Sequence, residues 1–276
     1  MTAKQHRKEH TMTAEKIIKI LNEWSPESCA EEWDNVGLLI GDSSQPVRKV
    51  LVALDATEAV INEAVSENFD FLITHHPLIY NPIKKITTAD PTGRKILTLI
   101  KNGIGIYCAH TNLDKAPGGV NDCLAEKIGL EKIAPLIPES ENEPESENIF
   151  GIGRTGYLKK ETTLAQLIQH IKSVLNLPSL RFSGNSSKIL KKIAVCGGDG
   201  SGNRYIDAAI AAECDAYVTG DLRYHAVQDA LESGIALIDI THYGGEILVV
   251  DAIVARLKNY VEIFPSSIDG QVFETV

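Results

Sequence analysis

The stretch Phe69-Asp70-Phe71-Leu72-Ile73-Thr74-His75-His76-Pro77 reads as a short buried strand that stops on two histidines and a proline. The same design recurs along the chain. KVLVALD (Lys49 to Asp55) ends on Asp55, and GIGIYCAH (Gly103 to His110) ends on His110. KKIAVCGGDG runs from Lys191 into glycines, AYVTGD ends on Asp221, and GIALIDI is followed two residues later by His242. A further short strand is expected at Val36 to Ile40. Segments with helical spacing lie at Thr13 to Trp24, Ala59 to Phe69, Pro91 to Lys101 and Asn121 to Ile128. Others lie at Thr163 to Leu175, Asn203 to Ala212, Ala226 to Ser233 and around Glu246 to Leu257. Strands alternating with helices of this length indicate an α/β fold with mostly parallel sheet. Ligands of such sheets bind beyond the carboxyl ends of the strands. Several strands ending in Asp or His therefore point to one convergent site.

The chain has 276 residues, long enough for one large core or two ordinary domains. Apolar types make up 43%, which excludes bulk disorder. The net charge of -10 argues against binding nucleic acid by phosphate neutralisation alone. Five of those charges come from the glutamates of PESENEPESEN (138 to 148), a solvated loop that suggests a domain change near 130 to 150. Apolar runs such as Val50 to Leu54 fall far short of the roughly 20 residues of a membrane span. The odd set of Cys29, Cys108, Cys123, Cys196 and Cys214 has no CxxC pair, so neither a disulfide framework nor a thiolate zinc knuckle is expected. These features indicate a cytoplasmic protein. The first eleven or twelve residues read as a flexible extension. GIGRTGYL (151 to 158) reads as an edge strand.

The strand exits supply ligand types for a metal. In an extended strand neighbouring side chains diverge, so His75 and His76 suit two nearby ions better than one. A structural or surface role is the alternative. Asp114 offers two oxygens that can bridge, and His110 can ligate directly or support a ligand. The alternative there is a turn, given Asn112, Pro117, Gly118 and Gly119. His242 and Glu246 are four apart, and at helical spacing they face the same way. A helix N-terminal acid beside a surface histidine is the alternative. Imidazole and carboxylate ligands together suit Zn²⁺, Fe²⁺, Mn²⁺ or Ni²⁺. Two such ions about 3.5–4 Å apart can hold a bridging hydroxide and neutralise an oxyanion.

WDNVGLLIGD, THHPLIY, AHTNLDKAPGG, IAVCGGDGSG, TGDLRYH and THYGGE, in that order, resemble the family of GTP cyclohydrolase 1 type 2 homologs, which are dinuclear-metal proteins. The resemblance spans the chain after Met12. It implies two related α/β lobes with mixed, largely parallel sheets and the ions in the cleft between them. It implies His75, His76, Asp114, His242 and Glu246 as ligands of two divalent ions, with His110 a further candidate. It also implies a ring-shaped homohexamer built from trimers. Residues 13–130 plus 235–276 would form the first lobe and 131–234 the second. The inserted domain of longer relatives is expected to be absent.

The glycines of CGGDGSGN, chiefly Gly197, Gly198 and Gly200, permit close approach of an anion to a helix start. A plain tight turn is the alternative. Asp221 and His225 are the candidate catalytic residues, as proton carriers or substrate contacts; Asp221 can instead orient a ligand histidine. No GxxxxGK[ST] phosphate loop is present. The combined reading is a metal-dependent hydrolase acting on a small anionic or nucleotide-like molecule, possible GTP cyclohydrolase chemistry included. Its rival is a metal-binding, metal-handling or nucleic-acid-associated ring without turnover.

Overall fold

A computed structural model of the chain describes residues 12–139 and 149–274. The expected N-terminal extension, apart from Met12, and most of the glutamate-rich loop lie outside the described residues. The first half comprises α1 (Ala14–Trp24), β1 (Gly37–Ile40), β2 (Lys49–Ala53), α2 (Glu58–Ser66), β3 (Phe71–Thr74), α3 (Pro91–Lys101), β4 (Gly105–Cys108), α4 (Thr111–Lys115) and α5 (Val120–Ile128). Next come β5 (Leu130–Pro138), β6 (Gly151–Thr163), α6 (Leu164–Val174), β7 (Arg181–Ser183), β8 (Ile189–Val195), α7 (Asn203–Ala211), β9 (Ala216–Thr219), α8 (Tyr224–Glu232) and β10 (Ala236–Asp239). The chain ends with α9 (His242–Glu246), α10 (Leu248–Leu257) and β11 (Glu262–Pro265).

These strands form two mixed sheets, ordered β1-β4-β3-β2-β11 and β5-β6-β8-β9-β10-β7. In the first, β4, β3, β2 and β11 run parallel and β1 runs antiparallel on the edge. In the second, β8, β9 and β10 run parallel, with antiparallel strands on both sides. Every residue of Phe71–Thr74 is buried, as a central parallel strand covered on both faces requires. One face of the first sheet packs on α1 and α10 through Ile17, Leu21, Val249 and Ile253. The opposite face packs on α2 and α3 through Ile61, Ile96 and Leu99. Each such fully buried Leu or Ile contributes roughly 1.5–3 kcal/mol by burial. Helix α5 serves both sheets: Val120 joins the first core and Leu124, Ala125 and Ile128 join the second. Local signals agree with the helices, since Thr57 caps α2, Asp90 caps α3 and Thr163 with Gln166 forms a capping box on α6.

Three sequence expectations change. GIGRTGYL is interior, because β5 pairs along its outer side. The strand β5 is hard to read from LEKIAPLIP, as Pro135 and Pro138 argue against a strand; they are accommodated because β5 is itself an edge. The boundary at 235 moves, because β10 pairs in parallel with β9 and belongs to the second sheet. The return to the first sheet follows through α9 and α10 to β11. The single helix expected around Glu246 to Leu257 is divided at Ile247 into two.

Candidate metal centre

The ladder of β3 continues one step past Thr74. His75 N–H donates to Ala53 O at 3.3 Å and His76 N–H to Leu54 O at 2.9 Å. The two rings leave this exit on divergent paths, 5.0 Å apart between centroids and inclined at 48°. His110 leaves the neighbouring β4, and its ring lies 5.2 Å from His75 and 5.5 Å from His76. Asp114 follows on the short α4. From the second sheet, the segment after β10 brings in His242 and Glu246, which flank the one turn of α9. The ligand atoms form three overlapping trios: His75–His76–His110, His76–His242–Glu246 and His75–Asp114–Glu246. Within each trio they lie no more than 4.8 Å apart. All six candidate ligands are therefore brought together, from strand ends of both sheets.

Each imidazole is held by its Nδ1. His75 Nδ1–H donates to Ala109 O at 2.8 Å, His76 to Asp55 Oδ1 at 2.9 Å, His110 to Asp34 Oδ1 at 2.9 Å and His242 to Asp221 Oδ2 at 2.8 Å. The Nε2 atom of each ring faces the cluster as its candidate ligand atom, those of His76 and His242 lying 3.2 Å apart. Such carboxylate–histidine pairs fix ring orientation and raise ligand basicity in metal sites. The inward atoms lack ordinary partners. His75 Nε2, Asp114 Oδ1 and Glu246 Oε2 are buried without a hydrogen bond. Glu246 Oε2 sits 2.9 Å from His76 Nε2 and 3.1 Å from His242 Nε2, but not in hydrogen-bonding geometry. Orphaned buried polar atoms are costly, and convergent ones fit a missing cation. The donor set of imidazole nitrogens and carboxylate oxygens fits a borderline divalent ion.

Charge within the cluster is strongly redistributed. Burial pushes the His76 pKa down, but Asp55 and Glu246 override it and carry it up to about 10. Glu246, aided by Asp221, carries His242 up to about 9. Burial pushes the Asp114 carboxyl up against the pull of His75. Burial also opposes ionisation of Glu246, but the surrounding imidazoles hold it well below the usual carboxylate range. Asp34, despite burial, is held at about 2 by His110 and Thr111.

These shifts give a proton-linked prediction. The raised pKa values of His76 and His242 favour their protonated forms near neutral pH, and a ligand nitrogen must lose its proton to bind a metal. Metal loading is expected to release up to about two protons, with affinity rising with pH until about 9–10. Calorimetric titration in buffers of different ionisation enthalpy measures the release; no buffer dependence at pH 7.5 would contradict it. In the metal-free protein the sign is opposite. Both pKa values are raised, so their contribution to stability is complete below about pH 6.5 and lost as pH rises through 9 to 10.

The other sequence candidates take different places. Asp221 orients His242, and its own backbone lies in the left-handed region at φ 54°, as does that of Thr241 at 66°. His225 is exposed on α8, with its ring against Tyr224 and its Nδ1 at 3.2 Å from Gln228 Oε1, and it joins none of the ligand trios. The glycine loop has a packing role. A Cβ on Gly198, where φ is +66°, would lie 2.2 Å from Glu246 Oε1. The Gly197 N–H is engaged by Asn121 Oδ1, and that of Gly200 by Thr219 Oγ1 and Gly198 O. Those two amides are therefore committed within the protein rather than free for an anion. Asp34, which lies within WDNVGLLIGD, supports His110 and also bonds Thr111. Asp55 is visible in the sequence as one more polar strand end, and that position was the signal for its role at His76.

A cavity of about 690 Å³ adjoins one side of the centre. Its walls include Asp55, His76, Asp221 and His242, with Leu180, Tyr243, Val272 and Phe273 around them.

The fold and cluster define a class: a two-sheet α/β protein with a candidate divalent-metal site at converging strand ends. The chain belongs to the DUF34/NIF3 family (NGG1p interacting factor 3), whose model matches residues 12–271. It is 39% identical over 264 residues to a Clostridium perfringens protein named GTP cyclohydrolase 1 type 2 homolog, covering 94% of this chain and 98% of that one. It is also similar to the crystal structure of a Bacillus cereus protein related to NIF3, with TM-score 0.89 and 29% identity over 96% of this chain and 99% of that one. A Staphylococcus aureus hypothetical protein gives TM-score 0.87 and 32% identity, with 96% and 100% covered. Among the described residues, no helix is long and apolar enough to cross a membrane.

Proposed function

We propose that this chain is a metal-dependent hydrolase whose centre takes two divalent ions, drawn from zinc, iron, manganese and nickel. The observation that carries the reading is the set of four imidazoles, each tethered at Nδ1, around the carboxylates of Asp114 and Glu246. Overlap of the trios supports two ions rather than one: Glu246 belongs both to the group with His75 and to the group with His242. When bound, divalent ions supply Lewis acidity and lower the pKa of water. The protein's part is to keep the ligand nitrogens aimed and the ligand carboxylates dry. Asp55, Asp34 and Asp221 do the first; burial of Glu246 and near-burial of Asp114 do the second.

The substrate class is a small anionic or nucleotide-like molecule, and the name borne by the relatives makes GTP a member of the test set. A ring-shaped hexamer in the cytoplasm is part of the same proposal, and light scattering on the purified protein measures the assembly. The deciding experiment is a screen of metal-loaded protein against phosphoesters, nucleotides and amides, with Asp114→Ala as control. Metal-dependent turnover absent from the control supports the hydrolase. Full metal occupancy with no turnover across the set would replace it by a metal-binding role without catalysis.

A further inference from the structure

The cavity beside His76 and His242 has a lining that the hydrolase reading does not explain. Its volume, about 690 Å³, lies within the range of roughly 300–1,000 Å³ typical of small-molecule sites. Three carboxylates face it, and all are already paired: Asp55 with His76, Asp221 with His242 and Asp239 with Arg181. Leu54, Leu180, Tyr243, Val272 and Phe273 give it apolar walls, with Thr57, Ser179, Thr241 and Gln271 among them. The cavity's carboxylates are therefore paired and much of its wall is apolar, although it ends at the candidate metal cluster.

One wall is the carboxyl-terminal segment, and its course is set by specific contacts. Ser266 N–H donates to Val52 O at 2.7 Å, and Ser267 N–H and Oγ–H both donate to Glu63 Oε1. At Gly270 the chain lies flat on the Tyr243 ring, where a Cβ would come within 2.9 Å. The segment then carries Val272 and Phe273 along the cavity with 81% and 73% of their surface exposed. Single exposed apolar side chains are ordinary, but two consecutive ones on the rim of an apolar cavity beside a metal site are placed to cover something.

Resting on the hydrolase reading, we propose that the substrate has two parts: an oxygen-bearing head that meets the centre at His76 and His242, and an uncharged apolar or aromatic body that fills this cavity under Val272 and Phe273. The inference excludes bare inorganic anions and small aliphatic acids as the preferred ligands.

Hydroxamates separate the two parts, because their heads bind metals alike while their bodies differ. Metal-loaded protein is titrated with acetohydroxamate and with 2-naphthohydroxamate. The naphthyl compound is expected to bind about tenfold tighter or more, from burial of its rings. Two variants test the location. Val272→Ser with Phe273→Ser removes the exposed cover without touching the core, and Ser179→Trp, at a lining position next to Leu180, fills the cavity. Both are expected to lower the naphthyl preference at least about threefold while leaving acetohydroxamate binding and metal content unchanged. Equal affinities for the two compounds in the wild type overturn the inference alone. So does a preference that survives in both variants. Binding of neither compound to fully loaded protein overturns the open metal site, and this inference with it.

Discussion

Glu246→Gln is expected to empty the metal centre while the protein stays folded. Glu246 is 3% exposed and belongs to two of the three ligand trios, so no other candidate carboxylate can replace it from its position. Glutamine keeps the volume and one oxygen but loses the charge that faces His75, His76 and His242. Loss of an outer-shell partner alone costs roughly 10–100-fold in metal affinity, and loss of a shared ligand is expected to exceed about 100-fold. Metal content after dialysis, measured on protein with an unchanged circular dichroism spectrum, checks this. Asp55→Asn supplies the graded comparison, with a loss of about 10–100-fold through His76 alone. Two-metal occupancy retained in Glu246→Gln would remove Glu246 from the site.

The largest loss of stability is expected from Arg154→Ala. The side chain is 2% exposed and sits where the second sheet meets the helices that follow β4. Its Nε and Nη2 donate to both oxygens of Asp122 at 2.8 and 2.7 Å. Its Nη1 donates to Gly151 O and Gly153 O, and Nη2 also reaches Ala116 O at 3.2 Å. Truncation leaves these carbonyls unmatched and the Asp122 charge without its partner. Breaking a buried pair in this way costs about 3–5 kcal/mol, and chemical denaturation read at two wavelengths gives the value. A loss under about 1 kcal/mol would class the pair with exposed ones. The same guanidinium steadies the chain just after Asp114, so weaker metal binding is expected to accompany the lost stability.

The strands and helices that frame the site are legible because parallel strands are buried on both faces and read as unbroken apolar runs. β3 and β9 are the clearest, fully apolar until a threonine and then polar at the exit. The edge strand β1 is legible at Val36 to Ile40, but the proline-bearing edges are not, because edge strands tolerate proline. β5 carries Pro135 and Pro138, and β11 ends on Pro265, all of which read as loop. The candidate ligands stand out in sequence because histidines and acids at strand exits violate the apolar pattern that precedes them. Of their supports, Asp55 and Asp221 are themselves polar strand ends and stand out, whereas Asp34 and Ala109 do not. Asp34 meets His110 across 76 residues, and Ala109 meets His75 through a backbone carbonyl that has no residue signature at all. Arg154 is likewise one basic residue among many until its burial is seen.

The partners that converge at the centre are far apart along the chain: His76 and His242 are separated by 166 residues. An ion held by both is a removable cross-link between the two sheets, closing a chain loop that the unfolded protein must otherwise close at an entropic cost growing slowly with length. Binding to the folded form alone also adds stability with rising free metal. The loaded protein is therefore expected to melt as one unit, and a chelator to lower and broaden the transition as the sheets come apart separately. Differential scanning calorimetry with and without chelator reads this directly. On that account bound ions would do mechanical duty as a clasp whether or not any substrate is ever turned over.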